Sequence, residues 1–364
     1  MSIEFNNQPL IDLQKLFLDD PIEILRLQQA FETNGWCFVR LSQNGDAFVA
    51  QLNHIIKSFS DFFTLSQKEK SHYLSTNSFG YTHVDHKEGI KLLSDQQGVA
   101  DFPSVLPMNI KATLQHVSRI IGDLTYRLKP IIMKLAVSED IPIKQVELSA
   151  VAMLDIVHYF NENVGPTQVP AIGYSTDEVN CVPHYDPGLF SLSILSTCDG
   201  LQLQDRHENK WTDGPNNSQI GQSNIGVIWL GEAASILTSN RFKSGIHRVI
   251  YPRTVQQPRL TIWQEICTEG QIQQLFDENN NVQILPAGAE VLLANQPNSI
   301  PMTVLPGGET PHNFMHRVES TRGLSMSKSL RSDMTFHNNY NGQANGGPSS
   351  SNGKNSFAKM KKKK

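Results

Sequence analysis

Hydrophobic positions follow two different periods along this 364-residue chain. In the first third they recur every three or four positions, most clearly over 47–65 and 114–135. That spacing predicts helices with one buried face. From about residue 146 the apolar runs become short or alternating and lie between turn residues, which favours the strands of a sandwich or barrel. The pattern therefore predicts a mostly helical N-terminal region, 1–145, packed on a mainly β region, 146–335.

Local signals add detail to the N-terminal region. Asp20 followed by Pro21 and Glu23 predicts a helix start with a capping box, and the segment 66–69 (Ser-Gln-Lys-Glu) predicts another. Between them, the apolar run Trp36–Val39 predicts a short buried strand after a helix that ends near Asn34-Gly35.

Charge and composition exclude several classes of protein. Lys and Arg number 31 against 35 Asp and Glu, so a clustered positive surface for nucleic acid is not expected. No run of about 18 apolar residues predicts a membrane-spanning helix, and the first ten residues lack the basic start of a signal peptide. The four cysteines are scattered without a C-x-x-C pair, which is typical of a reducing compartment. We therefore expect a cytoplasmic protein with no nucleic-acid partner and no membrane span.

The last residues differ from the rest of the chain. Segment 336–364 is rich in Asn, Gly and Ser and ends in four lysines. Such a composition cannot bury enough apolar surface to fold, so a disordered basic tail is predicted there.

The segment His184-Tyr185-Asp186 carries the first candidate chemistry. Residues two apart in a strand face the same side, so His184 and Asp186 would point at a shared target. His-x-Asp alone is common, but a second imidazole follows at His247. Two histidines and one carboxylate leave coordination positions open, which suits non-haem Fe(II) better than a closed four-ligand zinc site.

Arg259 and Thr261 form a second candidate pair. The guanidinium of Arg259 is a fixed fork suited to bidentate capture of a carboxylate. Thr261 lies two positions further along and adds a hydroxyl on the same strand face.

Taken together, these residues resemble the Fe(II)/2-oxoglutarate-dependent dioxygenase family, in its isopenicillin N synthase-like branch. The similarity covers roughly residues 9–265. Matching motifs in the second region are His184-x-Asp186-x-Gly188, Gly200-Leu201-Gln202, Leu230-Gly231-Glu232 and the run from Leu237 to His247-Arg248-Val249. Matching motifs in the first region are Ile11-Asp12-Leu13, Gly35–Val39, Phe62-Phe63 and Gly80-Tyr81.

This resemblance implies a double-stranded β-helix, or jelly roll, with flanking helices. It implies that His184, Asp186 and His247 bind Fe(II). It also implies that Arg259 and Thr261 hold the distal carboxylate of 2-oxoglutarate, with Tyr159 as a further co-substrate contact. The implied reaction couples the oxidative decarboxylation of 2-oxoglutarate by O₂ to hydroxylation or desaturation of a small molecule. Ascorbate is a candidate reductant, and we expect a monomer.

The chain departs from the family pattern at three positions. Thr261 replaces the usual serine but keeps the hydroxyl, Val157 replaces an asparagine, and Glu232 replaces an aspartate. The interval between His247 and Arg259 is also slightly longer than usual. None of these changes removes a predicted metal ligand.

Alternatives remain at both the site and the function. His316 repeats the His-Arg-Val motif downstream, but it lies too far from His184 for the family. The cluster His83, Asp85 and His86 is ligand-like in composition, and we interpret it as exposed loop residues. Two other functions stay open: a 2-oxoglutarate-independent iron oxidase that cyclises a peptide or amino acid, and a non-catalytic binding module on the same fold.

Overall fold

A computed structural model describes most of the chain up to residue 274. The described ranges are 4–6, 8–74, 79–84, 87–99, 102, 105–137, 146–159, 179–219, 221–250 and 258–274. Within them the helices are α1 (Leu13–Leu16), α2 (Pro21–Thr33), α3 (Gly45–Phe63), α4 (Gln67–Lys70), α5 (Met108–Ala136), α6 (Glu232–Leu237) and α7 (Glu269–Gln274).

Strands occur in both regions of the chain. The N-terminal ones are β1 (Glu4–Phe5), β2 (Gln8–Asp12), β3 (Trp36–Arg40), β4 (Gly80–Val84), β5 (Lys87–Asp95) and β6 (Gly98–Val99). The later ones are β7 (Leu148–Tyr159), β8 (Val179–His184), β9 (Phe190–Ser196), β10 (Leu201–Asp205), β11 (Lys210–Asp213), β12 (Ile225–Leu230), β13 (His247–Ile250) and β14 (Arg259–Thr268).

These strands form two sheets that pack against each other. The larger sheet has the order β1-β2-β3-β12-β9-β14-β7-β5-β4, with β6 beside β5, and the smaller has the order β11-β10-β13-β8. From β7 onward the chain moves repeatedly between the two sheets, which is the winding of a double-stranded β-helix. The predicted mainly β fold with flanking helices is therefore confirmed.

Side chains alternate between the two faces of the larger sheet, and this alternation positions the site. Leu260, Ile262 and Ile266 of β14 join the main hydrophobic core together with residues of α2, α3 and α5. Val157 and Tyr159 of β7 instead pack against residues of the smaller sheet. We call the helix-covered side of the larger sheet the outer face and the side toward the smaller sheet the inner face.

Helix starts test the local predictions. Helix α2 begins at Pro21 and Asp20 caps it, as predicted. The capping box predicted with Glu23 is wrong, because the Glu23 carboxylate accepts hydrogen bonds from the Asp12 backbone amide and from Arg26. The capping box of Ser66 and Glu69 is confirmed at the start of α4.

The N-terminal region is less helical than its periodicity predicts. Helices α2, α3 and α5 form there, but strands β2, β3 and β5 join the same large sheet as β7 and β14. Sheet pairing thus continues across the boundary predicted near residue 146. Among the parts of the chain that the structure describes, no helix combines the length and apolar character needed to cross a membrane. The predicted tail, 336–364, lies outside the described residues.

Candidate metal centre

Three predicted ligands meet between the ends of two neighbouring strands. His184 ends β8, His247 begins β13, and the two residues face each other in the register of the smaller sheet. Asp186 follows two residues after His184, and its Oδ1 lies 3.7 Å from His184 Nε2 and 3.8 Å from His247 Nε2. All three side chains are buried, and their ligand atoms lie within 4.8 Å of one another. The spacing predicted from the sequence therefore produces one compact facial set of donors.

Two hydrogen bonds orient the Asp186 carboxylate. Its Oδ2 accepts from Ser191 Oγ at 2.5 Å and from Trp229 Nε1 at 2.6 Å, both inside the fold. Because Oδ2 is occupied in this way, Oδ1 is the oxygen that faces the two histidines. Neither Ser191 nor Trp229 was predicted as a site residue, because each acts only through its contact with Asp186.

Hydrogen bonding also distinguishes the ring nitrogens of the histidines. His247 Nδ1 lies 3.1 Å from the Gly245 carbonyl oxygen. A carbonyl only accepts, so Nδ1 carries the proton and Nε2 presents its lone pair. His184 Nδ1 lies 3.6 Å from the Cys181 sulfur, and its Nε2 again faces Asp186. Both imidazoles thus offer the same nitrogen to a shared ion.

A buried carboxyl group supports the turn that carries Asp186. The backbone amide of Gly188 donates to Glu265 Oε1 at 2.6 Å. Glycine is required at 188 because a side chain there would collide with Glu265 and with the Ile266 carbonyl. Burial, with a contribution from the nearby negative Asp186, raises the pKa of Glu265 to about 8. Both causes favour the uncharged form of Glu265 beside Asp186.

Arg259 begins β14 and points into the space between the sheets. Only 2% of it is exposed, and its Nε donates to Ser196 Oγ at 2.9 Å. Its Nη1 is buried and makes no hydrogen bond in the described structure. Burial lowers the pKa of this guanidinium, while the neighbouring Tyr159 and Cys198 oppose that shift. A buried guanidinium nitrogen of this kind is suited to an anionic ligand.

The other two predicted co-substrate residues lie beside Arg259. Tyr159 faces Arg259 in the register of β7 and β14, and its ring centre lies 5.2 Å from the guanidinium carbon. Thr261 is buried on the same face, but its hydroxyl donates to the Leu195 carbonyl at 2.9 Å. Ser196, which the sequence analysis missed, is the hydroxyl that contacts Arg259.

Of the residues in the two rival ligand sets, the structure describes only one. His83 lies on β4, whereas Asp85, His86 and His316 lie outside the described residues. Within the described ranges, His184, Asp186 and His247 are the one group of three potential ligands found close together.

The residues present fit both a metal ion and a dicarboxylate. Two neutral imidazole nitrogens and one carboxylate oxygen are a donor set typical of non-haem Fe(II), with positions left for other ligands. The orphaned Arg259 nitrogen provides a matching cation for a carboxylate between the same two sheets.

Comparisons with known proteins agree with this geometry. Residues 156–268 match the model of the 2OG-Fe(II) oxygenase superfamily, a range that contains His184, Asp186, His247 and Arg259. No curated protein matches the chain.

Solved structures share the fold at low sequence identity. A full-length protein of Neurospora crassa, solved in complex with alpha-KG, is 18% identical, with a TM-score of 0.54 over 72% of this chain and 85% of that one. Dioxygenase for auxin oxidation 1 from Arabidopsis thaliana, bound to 2-oxoglutarate, is 18% identical, with a TM-score of 0.51 over 72% of this chain and 92% of that one. JOX2 in complex with 2OG, Fe and JA is 20% identical, with a TM-score of 0.50 over 76% of this chain and 80% of that one.

Proposed function

We propose that this protein, whose residues 156–268 match the model of the 2OG-Fe(II) oxygenase superfamily, oxidises a small molecule with O₂ and 2-oxoglutarate. The reaction class is hydroxylation or desaturation of a C–H-bearing substrate. The observation that carries this proposal is the pairing of two features in one cavity. The facial His-Asp-His set can hold iron, and the buried guanidinium of Arg259 can hold a dicarboxylate.

Each residue has a separate task in this proposal. His184, Asp186 and His247 hold the iron, which when bound supplies the activation of O₂ and the oxidative decarboxylation of 2-oxoglutarate. Arg259 binds the distal carboxylate, supported by Ser196 at its Nε. Tyr159 borders the same carboxylate, and the Thr261 hydroxyl, held on the Leu195 carbonyl, completes the polar wall.

Burial also affects how strongly these polar side chains bind their ligands. Arg259 and Asp186 are almost entirely removed from solvent, so their interactions with a bound anion or cation are stronger than at a surface. Ser191 and Trp229 fix Asp186 through hydrogen bonds, so the carboxylate does not need to reorganise when ligands arrive. The protein thus orients the co-substrate and limits access of water, while helices α2, α3 and α5 cover the outer face of the larger sheet.

The structural relatives support a small-molecule substrate. One was solved in complex with thymine and another in complex with JA, and a third is named as a dioxygenase for auxin oxidation. For this chain we propose a substrate of similar size. The four cysteines are buried and form no disulfide, which supports function in a reducing compartment such as the cytoplasm.

The test is succinate formation. Purified protein is loaded with Fe(II) under anaerobic conditions, given 2-oxoglutarate and then O₂, and succinate is quantified. We expect slow succinate release without any substrate and its acceleration by the true substrate. Iron binding with no succinate from 2-oxoglutarate would contradict the proposal and favour a 2-oxoglutarate-independent oxidase.

An Asp186→Ala variant is the matched negative control. It should release no succinate above the rate of free Fe(II) in buffer. If the folded wild-type protein binds no iron at all, the binding-module alternative replaces the proposed function.

A further inference from the structure

A second pair of charged side chains lies inside the fold, on the inner face of the larger sheet. Lys91 of β5 and Asp155 of β7 face each other in the strand register, with Lys91 Nζ 3.2 Å from Asp155 Oδ2. Relative exposure is 3% for Lys91 and 1% for Asp155. Removing two charges from water carries a desolvation penalty that an apolar pair of similar volume would avoid. Since β5 and β7 already pair through their backbones, the ion pair is not needed to join the two strands.

The position of the pair connects it with the metal centre. Asp155 lies in register with Trp263 of β14, and the Trp263 ring lies 6.4 Å from the ring of Trp229, which holds Asp186. Glu265 is close enough to both Asp186 and Lys91 for each charge to influence its pKa. The ion pair therefore lies on the same inner face as Trp263 and Glu265, on the wall formed by β5, β7 and β14.

Next to the pair, the sheet surface carries no side chain. Gly89 lies between Lys91 and Lys87 on the inner face of β5, opposite Val157. The three atoms nearest to the place where its side chain would begin belong to the backbone of Ile156 and Val157. A Cβ at 89 would lie 2.8 Å from the Ile156 carbonyl oxygen, so glycine is required there and leaves the inner face beside Lys91 without a side chain.

A buried hydroxyl lies beside Gly89. Thr82 of β4 faces Gly89 in the strand register, so its side chain lies on the same inner face. Its Oγ1 is buried and makes no hydrogen bond within the described residues. Buried polar atoms are nearly always hydrogen-bonded, and an exception points to a group that the structure does not contain.

We propose that Lys91, Asp155 and Thr82 bind the polar end of the substrate and determine its class. The pair has no net charge, and a ligand with a full charge would have to compete with one of its members. A neutral group that places a hydrogen-bond acceptor beside an N–H donor can instead accept from Lys91 and donate to Asp155 at once. A secondary cis-amide, as in a lactam ring, has this arrangement. The inference rests on the proposed function only in taking the cavity to be a substrate site.

The experiment measures binding rather than turnover. Protein loaded with redox-inert Zn(II) and 2-oxoglutarate is tested by saturation-transfer NMR against three six-membered-ring probes of similar size. They are 2-piperidone, cyclohexanecarboxylate and cyclohexylammonium. We expect the lactam to bind most tightly. Preference for the carboxylate would overturn the proposal and point to Lys87, which lies on the same face; preference for the ammonium would also overturn it.

Two variants assign the binding to the pair. In Lys91→Met/Asp155→Leu, lactam affinity should fall at least about tenfold, because hydrogen bonds to both charged groups are lost. In Asp155→Asn, which keeps the shape of the side chain, the Lys91 charge loses its counter-ion, and the preferred probe should change from lactam to carboxylate. Unchanged lactam binding in either folded variant would overturn the proposal.

A matched control removes a similar ion pair from the other face of the sheet. Lys70 and Glu88 are buried 2.7 Å apart on the outer face, so Lys70→Met/Glu88→Leu should leave the lactam signal unchanged. Thermal unfolding and zinc content verify that each variant is folded and loaded. Lactam binding with no succinate formation would contradict the proposed function alone. Succinate formation without lactam preference would contradict this inference alone.

Discussion

The two faces of the larger sheet each bury a lysine–carboxylate pair, and the pairs differ in their surroundings. On the outer face, the Glu88 carboxylate accepts hydrogen bonds from Lys70, Tyr81 and His158. Lys70 also donates to the Phe63 carbonyl. This network ties α3 and α4 to β4, β5 and β7. On the inner face, Lys91 and Asp155 lie on the same side of the sheet as Arg259 and Glu265. Burial of charge therefore supports stability on one face and, in our proposal, ligand selection on the other.

Substitutions at the ligand-binding residues of the inner face should reduce binding and turnover, and substitutions on the outer face should lower stability and leave binding unchanged. The largest expected effect is at Asp186. Asp186→Ala removes the charged metal ligand, so we expect iron affinity to fall by more than the ten- to hundredfold typical of losing a supporting partner. Succinate formation should be abolished, as measured by anaerobic iron titration and product analysis. Asp61→Ala, on an exposed part of α3, is the control and should retain both properties.

At Glu88 the opposite outcome is expected. Glu88→Gln leaves the buried Lys70 charge without its counter-ion, which should lower the free energy of unfolding by about 3–5 kcal/mol. Urea unfolding at pH 7 measures this loss. The exposed pair Lys57–Asp61 is the control, because Asp61→Asn should change stability by less than about 1 kcal/mol. Normal stability with impaired iron binding in Glu88→Gln would contradict the assignment of the outer pair to stability.

The pH dependence of that loss can also be tested. Burial alone would raise the pKa of Glu88, but hydrogen bonds from His158, Lys70 and Tyr81 bring it below the ordinary value. Its stabilising contribution is therefore present above the unfolded-state pKa of about 4.3 and is lost as the pH falls through the lower folded-state pKa. The difference between wild type and Glu88→Gln should be constant from pH 7 to about 5 and shrink below that. A difference that grows on acidification would contradict the ion-pair account.

Substitution of Arg259 should weaken the binding of only one ligand, 2-oxoglutarate. Arg259→Gln removes the buried guanidinium, so the Kd for 2-oxoglutarate should rise roughly ten- to hundredfold, since a charge-assisted hydrogen bond contributes about 1.5–3 kcal/mol. Iron affinity should stay near the wild-type value. Arg241→Lys, at a distant arginine paired with Glu32, is the control. An unchanged Kd for 2-oxoglutarate in Arg259→Gln would refute the assignment.

The smallest effect is expected from the groups that orient Asp186. Ser191→Ala and Trp229→Phe each remove one of two donors to Oδ2. Each should weaken iron binding about tenfold, the lower end of the range for supporting partners. The double variant should lose more than either single one. An iron affinity equal to that of the wild type in all three variants would show that the carboxylate does not need this orientation.

The metal ligands were predictable because two of them are close in sequence and the third lies in a recognisable motif. Asp186 follows His184 by two residues, and His247 lies in a family motif, so no tertiary information was needed. The groups that support them are different. Ser196 reaches Arg259 from another strand, and Lys91 meets Asp155 only because β5 pairs with β7. Such contacts depend on sheet register, which helical and strand periodicity do not specify.

Prediction from the sequence was limited in a similar way in the N-terminal region. Helices α2, α3 and α5 have a clear apolar stripe, and the sequence predicted them. Strand β5 (Lys87–Asp95) escaped prediction because charged residues occupy inner-face positions and polar Glu88 lies on the outer face. Neither face therefore has the regular apolar alternation of an ordinary strand. Glu23 failed as a capping residue because Arg26 and the Asp12 amide compete for its carboxylate.

The most direct test of the central claim is the anaerobic visible spectrum of the protein with Fe(II) and 2-oxoglutarate. Chelation of 2-oxoglutarate to iron held by His184, Asp186 and His247 should produce a metal-to-ligand charge-transfer band. We expect this band in the wild type, no band in Asp186→Ala, and a band that requires roughly ten- to hundredfold more 2-oxoglutarate in Arg259→Gln. Stoichiometric iron binding with no band at saturating 2-oxoglutarate would contradict the account.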